Sequence, residues 1–414
     1  MQPSAPPAMR YYRHILIGIL LLAFGLRMYR LGYQSLRGDE GITYVYSLRP
    51  LAELFEIMRV TSPHPPVYYT SIHGWMTLAG NTEFALRFLS VVAGVLLVAS
   101  MAAIGRMIWD ARLGLLAAAL VALNPYQIFY AQDARSYPLV TLLGVLSTIS
   151  LWQALRTGAW RYWVAYGLTT LLGIYTHYYA FFIVVFQGLF VTWDWRRRRS
   201  FPWQYATIGL VVVVLFLPWI SYSWGLLTGY RGMAETTGVV GSIWRPLMAF
   251  TGGQLLSSQF AWINAVAFLP LLVLGTVGLW QERRLAALLT VLYLTVPLIG
   301  VYVASRFRPI FNERYLMVAS PAFYLLIAAA LLWIIKSRKV WHTTIPLLLV
   351  MALLATGVLA LSNHYFNSQF AKSPPWRDVM DDSADQARPG EALIYTSPRP
   401  TLPYYNQERR PASL

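Results

Sequence analysis

Long apolar runs separated by short polar connections make up most of this 414-residue sequence. Each run has about 17–25 residues, the length that an α-helix needs to cross the hydrocarbon core of a bilayer. The pattern predicts eleven membrane-spanning helices, near residues 14–31, 84–106, 113–131, 136–155, 160–176, 178–195, 203–221, 260–280, 285–304, 315–335 and 341–361. The fifth and sixth runs are short, and one long tilted helix is the alternative there.

The basic residues of the connections predict the topology. With residues 1–13 as a disordered cytoplasmic tail, alternate connections face the cytoplasm and contain Arg106, Arg112, Arg156, Arg161, Arg196, Arg197, Arg198, Arg199, Arg283, Arg284, Lys336, Arg338 and Lys339. This distribution follows the positive-inside rule, and it requires that the fifth and sixth runs are separate helices. We predict a multi-pass membrane protein with a cytoplasmic N-terminus and a candidate site on the extracytoplasmic face.

The outer connections are then residues 32–83, 132–135, 176–177, 222–259 and 305–314, followed by a tail at 362–414. Two apolar helical faces in the first connection, with Pro50 between them, predict helices that lie in the membrane interface. Five glycines between residues 225 and 241 of the fourth connection fit a mobile lid or a disordered loop, and both interpretations stay open. In the tail, the pattern predicts a helix at Trp376–Ala387, a turn at Arg388–Gly390 and a strand at Ala392–Thr396, a short α/β-like unit that packs on the outer connections.

Composition narrows the functional classes. Hydrophobic residues form 57% of the chain, which excludes an ordinary soluble protein. The net charge of +16 would indicate nucleic-acid binding in a soluble domain, but here cytoplasmic loops and anionic lipid head groups explain it. The sequence has no cysteine, so disulfides and thiol chemistry are excluded.

Asp39 and Glu40 are the leading candidates for chemistry. An adjacent acid pair just outside a membrane span is unusual in a chain with 12% charged residues. One interpretation is a general base, a carboxylate that takes a proton from an attacking nucleophile. The other is a helix N-cap at Asp39 with an acidic first turn, which would stabilise the following helix. The two interpretations are equally supported by these residues alone.

The other outer connections contribute charged and hydrogen-bonding groups. Asp133 and Arg135 lie between two spans, where ionisable residues are usually functional. A cluster of three arginines at 306–314 suits a lipid phosphate, because guanidinium groups bind phosphate in a bidentate manner. Arg27 and Arg30, by contrast, are explained by snorkelling from the first span. The predicted substrate-binding residues are His64, Tyr68, Arg135, Tyr137, His177, Tyr178, Arg306, Arg308, Arg314 and Tyr315, and the predicted catalytic residues are Asp39, Glu40 and Asp133.

Five short motifs, in this order and on one predicted face, resemble the GT-C polytopic glycosyltransferases. They are Gly38-Asp39-Glu40, the segment from His64 to Tyr69, the segment from Tyr130 to Tyr137, the segment from Thr176 to Tyr179, and the segment from Glu313 to Leu316. The group is that of bacterial polyprenyl-phosphate-sugar-dependent enzymes related to protein O-mannosyltransferases and aminoarabinose transferases (glycosyltransferase family 39-like). Each motif is weak singly, and the resemblance covers about residues 14–400.

The resemblance implies an all-α GT-C-like catalytic domain at 14–361, a polyprenyl-phosphate sugar donor and inverting transfer. It also implies that the membrane is a bacterial plasma membrane. Asp39 matches the catalytic acid of the family's first loop, Asp133 and Arg135 match an acidic-basic motif, and Arg314 matches an arginine assigned to the lipid phosphate. The acceptor is a protein, a lipid or a glycan, and nucleic acid is not expected. The tail is shorter than in larger members, which puts a full acceptor-binding domain in doubt.

Metal dependence differs among the relatives, so no cofactor is named as certain. For a divalent metal ion, the candidate ligands are Asp39, His64 and Asp133.

Two other classes use the same residues. A transporter of lipid-linked sugars would bind head groups with the same arginines, but it needs polar residues near the membrane midplane and often has repeats. The span centres are apolar and no repeat is visible, so the transporter ranks below the transferase. A hydrolase of polyprenyl phosphates would release free phosphate without a glycosylated acceptor.

Overall fold

The computed structural model describes residues 11–62, 64–230, 236–336, 341–386 and 400–407. The regular elements in these ranges are helices. In chain order the α-helices are α1 Tyr12–Met28, α2 Gly38–Ser47, α3 Leu51–Thr61, α4 Val67–Ala79, α5 Glu83–Ile108, α6 Ala111–Leu123, α7 Pro125–Ala131, α8 Tyr137–Thr157, α9 Trp160–Thr176, α10 Ala180–Arg198, α11 Trp203–Gly229, α12 Val239–Phe250, α13 Ser258–Glu282, α14 Arg284–Phe307, α15 Ser320–Lys336, α16 Trp341–Phe366, α17 Trp376–Gln386 and α18 Leu402–Gln407. Short 3₁₀ helices lie at Gly253–Leu255, Glu313–Ala319 and Ser368–Phe370.

Each predicted span coincides with one of these helices or, for 113–131, with the pair α6 and α7. Within the described ranges, six helical segments are long and apolar enough to cross a membrane, and the bent pair is a seventh candidate. The chain is therefore a multi-pass membrane protein, and the count of eleven spans stays a prediction. Helices α9 and α10 are separate, as the charge distribution required.

The third predicted span is bent by 62° between α6 and α7. Pro125 is the first residue of α7, and the Asn124 side chain accepts a hydrogen bond from the Gln127 backbone N–H at 3.1 Å. Proline has no N–H to donate and disfavours helical geometry at the residue before it, so α6 ends at this point. The carbonyl groups at the end of α6 then lose their helical partners.

Arg27 supplies partners for these carbonyl groups. Its guanidinium is fully buried and donates to the carbonyls of Ala122 at 3.1 Å and Val121 at 3.0 Å. The prediction that Arg27 snorkels to the membrane surface is therefore wrong. The bend in the third span leaves carbonyl oxygens inside the protein without helical partners, and the hydrogen bonds from Arg27 avoid the cost of burying these acceptors unpaired.

The connection predicted at 222–259 is largely helical in its described part. Helix α11 continues to Gly229, and α12 begins at Val239. The predicted tail helix is confirmed as α17, while the predicted turn at 388–390 and strand at 392–396 lie outside the described residues.

The ends of the helices form two faces of the molecule, which are defined here by the residues that contact each other there. On one, here called the site face, residues of the first connection contact Asp133, Arg135, Arg314 and the tail. On the other, the basic face, the ends of α5, α8 and α10 meet the start of α14. Helix α5 runs from one face to the other, and its 26 residues span roughly 40 Å.

Candidate functional site

The site starts at the beginning of α2. The Arg37 backbone N–H donates to the Glu40 carboxylate at 2.9 Å. This contact closes the first helical turn, in which N–H groups have no partner within the helix. Asp39 lies inside that turn, and Arg37 occupies the N-cap position that the sequence had offered to Asp39.

Glu40 forms a buried ion pair with Arg87 of α5. Its oxygens accept from Arg87 Nε at 2.8 Å and Nη2 at 2.9 Å. The Ala134 backbone N–H donates to the same carboxylate, also at 2.9 Å. Glu40 is 0% exposed, so its carboxylate joins α2, α5 and the turn before α8 and faces no solvent.

Asp39 is the accessible member of the acid pair, with 30% of its side chain exposed. It forms an ion pair with Arg314, which lies in the 3₁₀ helix Glu313–Ala319. Burial raises the pKa of Asp39, but Arg135, Arg314 and Arg37 together lower it by more. The net pKa lies below the ordinary value, so Asp39 is ionised at neutral pH.

Arg135 lies at the centre of the site. Its Nη1 donates to the Asp39 carbonyl and to the Tyr69 hydroxyl, both at 3.3 Å. Its Nη2 is 3.4 Å from His64 Nε2, and its guanidinium carbon is 5.6 Å from the centre of the Tyr137 ring. Arg135 thus joins the first connection to the start of α8. Its partners Tyr69 and Asp39 precede it in the sequence by 66 and 96 residues.

Aromatic rings form one wall of the site. The ring centres of His64 and His177 are 5.1 Å apart, and those of His177 and Tyr315 are 5.2 Å apart. Tyr137 lies 5.8 Å from Tyr315 and 6.0 Å from His177. All four pairs are tilted, with ring planes 39° to 58° apart, so none is the less favourable face-to-face sandwich.

Both histidines of this wall are neutral at physiological pH. Burial lowers the pKa of His177 to about 3, and the nearby Arg135 and Arg314 act in the same direction. Burial and the same neighbours hold the pKa of His64 well below its ordinary value. His177 Nδ1 accepts from the Tyr179 backbone N–H at 3.2 Å, which assigns the ring proton to Nε2.

Three buried donors in this cluster have no hydrogen-bond acceptor among the described residues: Nε of Arg135, Nε of Arg314 and Nε2 of His177. Buried polar groups are normally paired, so unpaired donors around one carboxylate need an explanation. A ligand with phosphate or hydroxyl oxygens would supply the missing acceptors. The arrangement therefore suits an anionic or polyhydroxylated ligand.

A second ionic layer lies beneath the site. The buried Asp133 carboxylate accepts from Lys372 Nζ at 2.9 Å and Arg37 Nη1 at 3.1 Å. Burial raises the pKa of Asp133, while Lys372 and Arg37 lower it by more. Burial also lowers the pKa of Lys372 to about 8, although Asp133 opposes this shift. Lys372 thereby links the tail to the residues behind Asp39.

The remaining predicted site residues lie outside the cluster. The Tyr68 hydroxyl contacts Ser90, whose hydroxyl donates to the Arg135 carbonyl at 3.0 Å, so Tyr68 supports the backbone of Arg135. Tyr178 accepts from the Trp219 indole at 2.9 Å. Arg308 donates to carbonyls at the end of α11, and Arg306 is exposed at the end of α14. The cluster itself consists of Asp39, His64, Arg135, Tyr137, His177, Arg314 and Tyr315.

The charges of the site favour an anion over a cation. Asp39 pairs with Arg314, Asp133 pairs with Lys372 and Arg37, and His64 faces Arg135. In the described part of the chain, no group of three or more acidic or histidine side chains is placed to hold a metal ion. Each member of the predicted ligand set Asp39, His64 and Asp133 has a basic neighbour, and a metal ion at these residues stays a prediction.

Sequence reasoning did not identify Arg37, Arg87 and Lys372. Arg87 had a detectable signal, because a charged residue inside an apolar run needs a buried partner. Arg37 and Lys372 had none, since their acidic partners are 96 and 239 residues away.

A comparison with known protein families finds one match. Residues 63–222 match the family described as dolichyl-phosphate-mannose-protein mannosyltransferase. That segment contains His64, Arg135 and His177, and the resemblance to GT-C glycosyltransferases is confirmed. No curated protein matches the chain.

Solved structures share the fold. ArnT from Cupriavidus metallidurans in the apo state has a TM-score of 0.64 at 15% identity, covering 97% of this chain and 85% of ArnT. ArnT bound to undecaprenyl phosphate has a TM-score of 0.62 at 15% identity, covering 94% and 84%. The Archaeoglobus fulgidus oligosaccharyltransferase has a TM-score of 0.57 at 14% identity, covering 94% of this chain and 62% of that protein. The fold class is therefore GT-C, and the fold together with the matched domain supports a membrane glycosyltransferase.

Proposed function

We propose that this protein transfers a sugar from a polyprenyl-phosphate-linked donor to an acceptor on the extracytoplasmic face, with inversion at the anomeric carbon. The observation that carries the proposal is the partly exposed Asp39 carboxylate between Arg314 and Arg135. A base beside two phosphate-binding groups is the arrangement that attack on a phosphate-linked sugar requires. The relatives with this fold include ArnT, which has been crystallised with undecaprenyl phosphate.

Arg314 and Arg135 are the proposed ligands of the donor phosphate. Each has a buried Nε without an acceptor among the described residues. Arg308, the second cation that the sequence suggested for this role, donates instead to backbone carbonyls of α11. Arg135 therefore replaces it in the proposal.

Donor binding would also activate Asp39. A carboxylate whose pKa is held low by arginines is ionised but weakly basic. When the donor phosphate competes for Arg314, Asp39 loses part of its counter-charge, and its pKa rises toward the range of an effective base. The ion pair seen here is then the resting state of the base.

The chemical step follows from these positions. The acceptor nucleophile gives its proton to Asp39 and bonds to the anomeric carbon, while the bond from that carbon to the phosphate oxygen breaks. Polyprenyl phosphate leaves with the electron pair, and Arg314 and Arg135 stabilise the added negative charge. Glu40 and Asp133 act as positioning residues, because their carboxylates are occupied by buried donors.

An apolar cavity of about 270 Å³ between α6, α13, α15 and α16 is the proposed groove for the prenyl chain. Its lining includes Asn124 and Pro125. The next residue, Tyr126, donates to the carbonyl of Glu313 at 2.8 Å, directly before Arg314. Tyr126 thus joins the lining of the cavity to the segment that carries the proposed phosphate ligand Arg314.

The test uses the full-length protein in lipid, a radiolabelled polyprenyl-phosphate sugar and a membrane extract as the acceptor. Asp39→Asn should lower transfer by about 10²–10⁴-fold, the usual effect of losing a general base. It should bind donor at least as tightly as wild type, since Arg314 is freed. Arg314→Gln should weaken donor binding. Glu53→Gln, which removes an exposed carboxylate of the same outer connection, should leave both properties unchanged.

Three other outcomes of this experiment would contradict the proposal. Wild-type transfer by Asp39→Asn would remove the base assignment. Free phosphate without labelled acceptor would indicate a hydrolase, and donor binding without any transfer would favour the transporter.

A further inference from the structure

A second cavity lies on the basic face, at the opposite ends of the helices from Asp39. Its volume is about 430 Å³, and α5, α8, α10 and α14 contribute its lining. Four arginines line it: Arg156, Arg197, Arg283 and Arg284. The reaction proposed above uses none of them.

The positive charge of this cavity is largely unbalanced. Arg197 shares Asp194 with Arg198, at 3.5 Å and 2.7 Å respectively. Arg156, Arg283 and Arg284 form no ion pair with any carboxylate of the described residues. No acidic residue is part of the lining. The cavity therefore attracts anions.

The lining also has an apolar and aromatic part. Trp109 and Trp152 lie in the wall, and the Arg156 guanidinium is 5.1 Å from the Trp152 ring centre. Met107, Leu285 and Ala286 complete this part. Tryptophan and arginine at the ends of spanning helices lie at the level of lipid head groups. A phosphate would contact the arginines while the first acyl carbons contact the apolar wall.

From this combination we propose that the cavity on the basic face binds the phosphodiester head group of an anionic phospholipid. Basic pockets between spanning helices suit such head groups because guanidinium ions pair with phosphate and stay charged. The apolar wall favours a lipid over free phosphate. This site is independent of the transfer reaction, so failure of one proposal leaves the other intact.

The experiment titrates the detergent-solubilised full chain with phosphatidylglycerol and counts bound lipids by native mass spectrometry. The variant Arg156→Gln/Arg283→Gln/Arg284→Gln should bind at least tenfold more weakly than wild type. The control Arg112→Gln/Arg196→Gln/Arg199→Gln removes the same charge from the basic face at exposed positions outside the cavity lining. It should keep the wild-type affinity within about twofold. Phosphatidylcholine with the same acyl chains should bind weakly to every form.

If the triple variant fails to fold, the single variants Arg156→Gln and Arg284→Gln should each weaken binding about fivefold, the effect of one basic residue near an anionic surface. Equal losses in the cavity and control variants would overturn the proposal in favour of diffuse surface charge. Unchanged binding in the cavity variant would also overturn it. Displacement of the lipid by millimolar inorganic phosphate would identify a free-phosphate site instead.

Discussion

Adjacent carboxylates have opposite environments at the start of α2. Asp39 is partly exposed and faces Arg314, whereas Glu40 is fully buried against Arg87. Consecutive helical residues point about 100° apart, so neighbours in sequence can face a cleft and a core respectively. The division places the proposed base on a helix that the buried Glu40–Arg87 pair anchors, which is what a positioned catalytic group requires.

Loss of Glu40 should affect stability before it affects chemistry. Glu40→Gln leaves Arg87 buried without its counter-charge, and breaking such a pair typically costs about 3–5 kcal/mol of unfolding free energy. Thermal unfolding in detergent should show a large decrease in Tm. Glu53→Gln, which breaks the exposed pair with Arg49, should have little effect. A Tm of Glu40→Gln equal to that of the control would contradict the structural role.

Neutral, buried His177 predicts a loss of stability in acid. The pKa is about 3 in the folded protein, against 6.5 for the free side chain. Below pH 6.5 the unfolded chain binds a proton that the folded chain excludes, so stability falls as the pH decreases toward 3. Between pH 6.5 and 5 this amounts to about 2 kcal/mol.

The measurement is Tm as a function of pH from 7 to 5. His177→Gln should give a flatter profile than wild type, whatever its absolute stability. His14→Gln, at an exposed position of α1, should keep the wild-type slope. Identical slopes for wild type and His177→Gln would show that this histidine does not control the acid response.

At the scale of elements, the tail packs on the first connection. Tyr405 accepts from the Leu36 N–H at 2.8 Å, and Tyr404 makes an edge-on contact with Tyr44 at 4.9 Å. Ser373 donates to the Leu36 carbonyl at 2.9 Å. Because the same connection presents Asp39, α18 and the segment around Lys372 help to fix the position of this carboxylate.

Gly41 provides a test of this docking. A Cβ atom there would lie 2.6 Å from backbone atoms of Pro400 and Thr401, closer than side chains tolerate. Gly41→Ala should therefore displace the segment and raise amide hydrogen exchange in Leu402–Gln407 at least tenfold. Gly38→Ala is the matched control in the same helix, since a Cβ at Gly38 meets nothing within 4 Å. Unchanged exchange in Gly41→Ala would show that the tail is not held against α2.

The whole molecule has two chemically different faces. The site face carries ion pairs around Asp39 and Asp133, whereas the basic face carries unbalanced arginines. The positive-inside rule predicts that the basic face lies toward the cytoplasm. A donor and an acceptor would meet on the opposite side of the membrane.

Single cysteines test the orientation, because the chain has none of its own. Ser71→Cys on α4 and Thr157→Cys at the end of α8 are at exposed positions on the two faces. A membrane-impermeant maleimide should label Ser71→Cys in intact cells and Thr157→Cys only after permeabilisation. The reverse result would invert the topology and place Asp39 in the cytoplasm.

Much of the architecture could be predicted because its causes are local. Hydrophobic length determines where helices lie, and proline and charge determine where they end or turn. The predicted ends failed where local rules compete, as at Asn124 and Pro125, where a long apolar run contains a helix break. The buried position of Arg27 is a consequence of that break. The carbonyls of Val121 and Ala122 can accept from Arg27 because α6 ends early and leaves them without helical partners.

The sequence by itself determined the membrane class, the helices, the two faces and the polar groups of the cluster around Asp39, because each depends on composition and order within short segments. It did not indicate Arg37 and Lys372, whose acidic partner is distant in the chain. Only the tertiary structure decided which of these groups meet. Arg314 reaches Asp39 across 275 residues, Lys372 reaches Asp133 across 239, and Arg308 turns instead to α11. Ion pairs over such separations depend on how the helices pack, and no local pattern of residues records that packing.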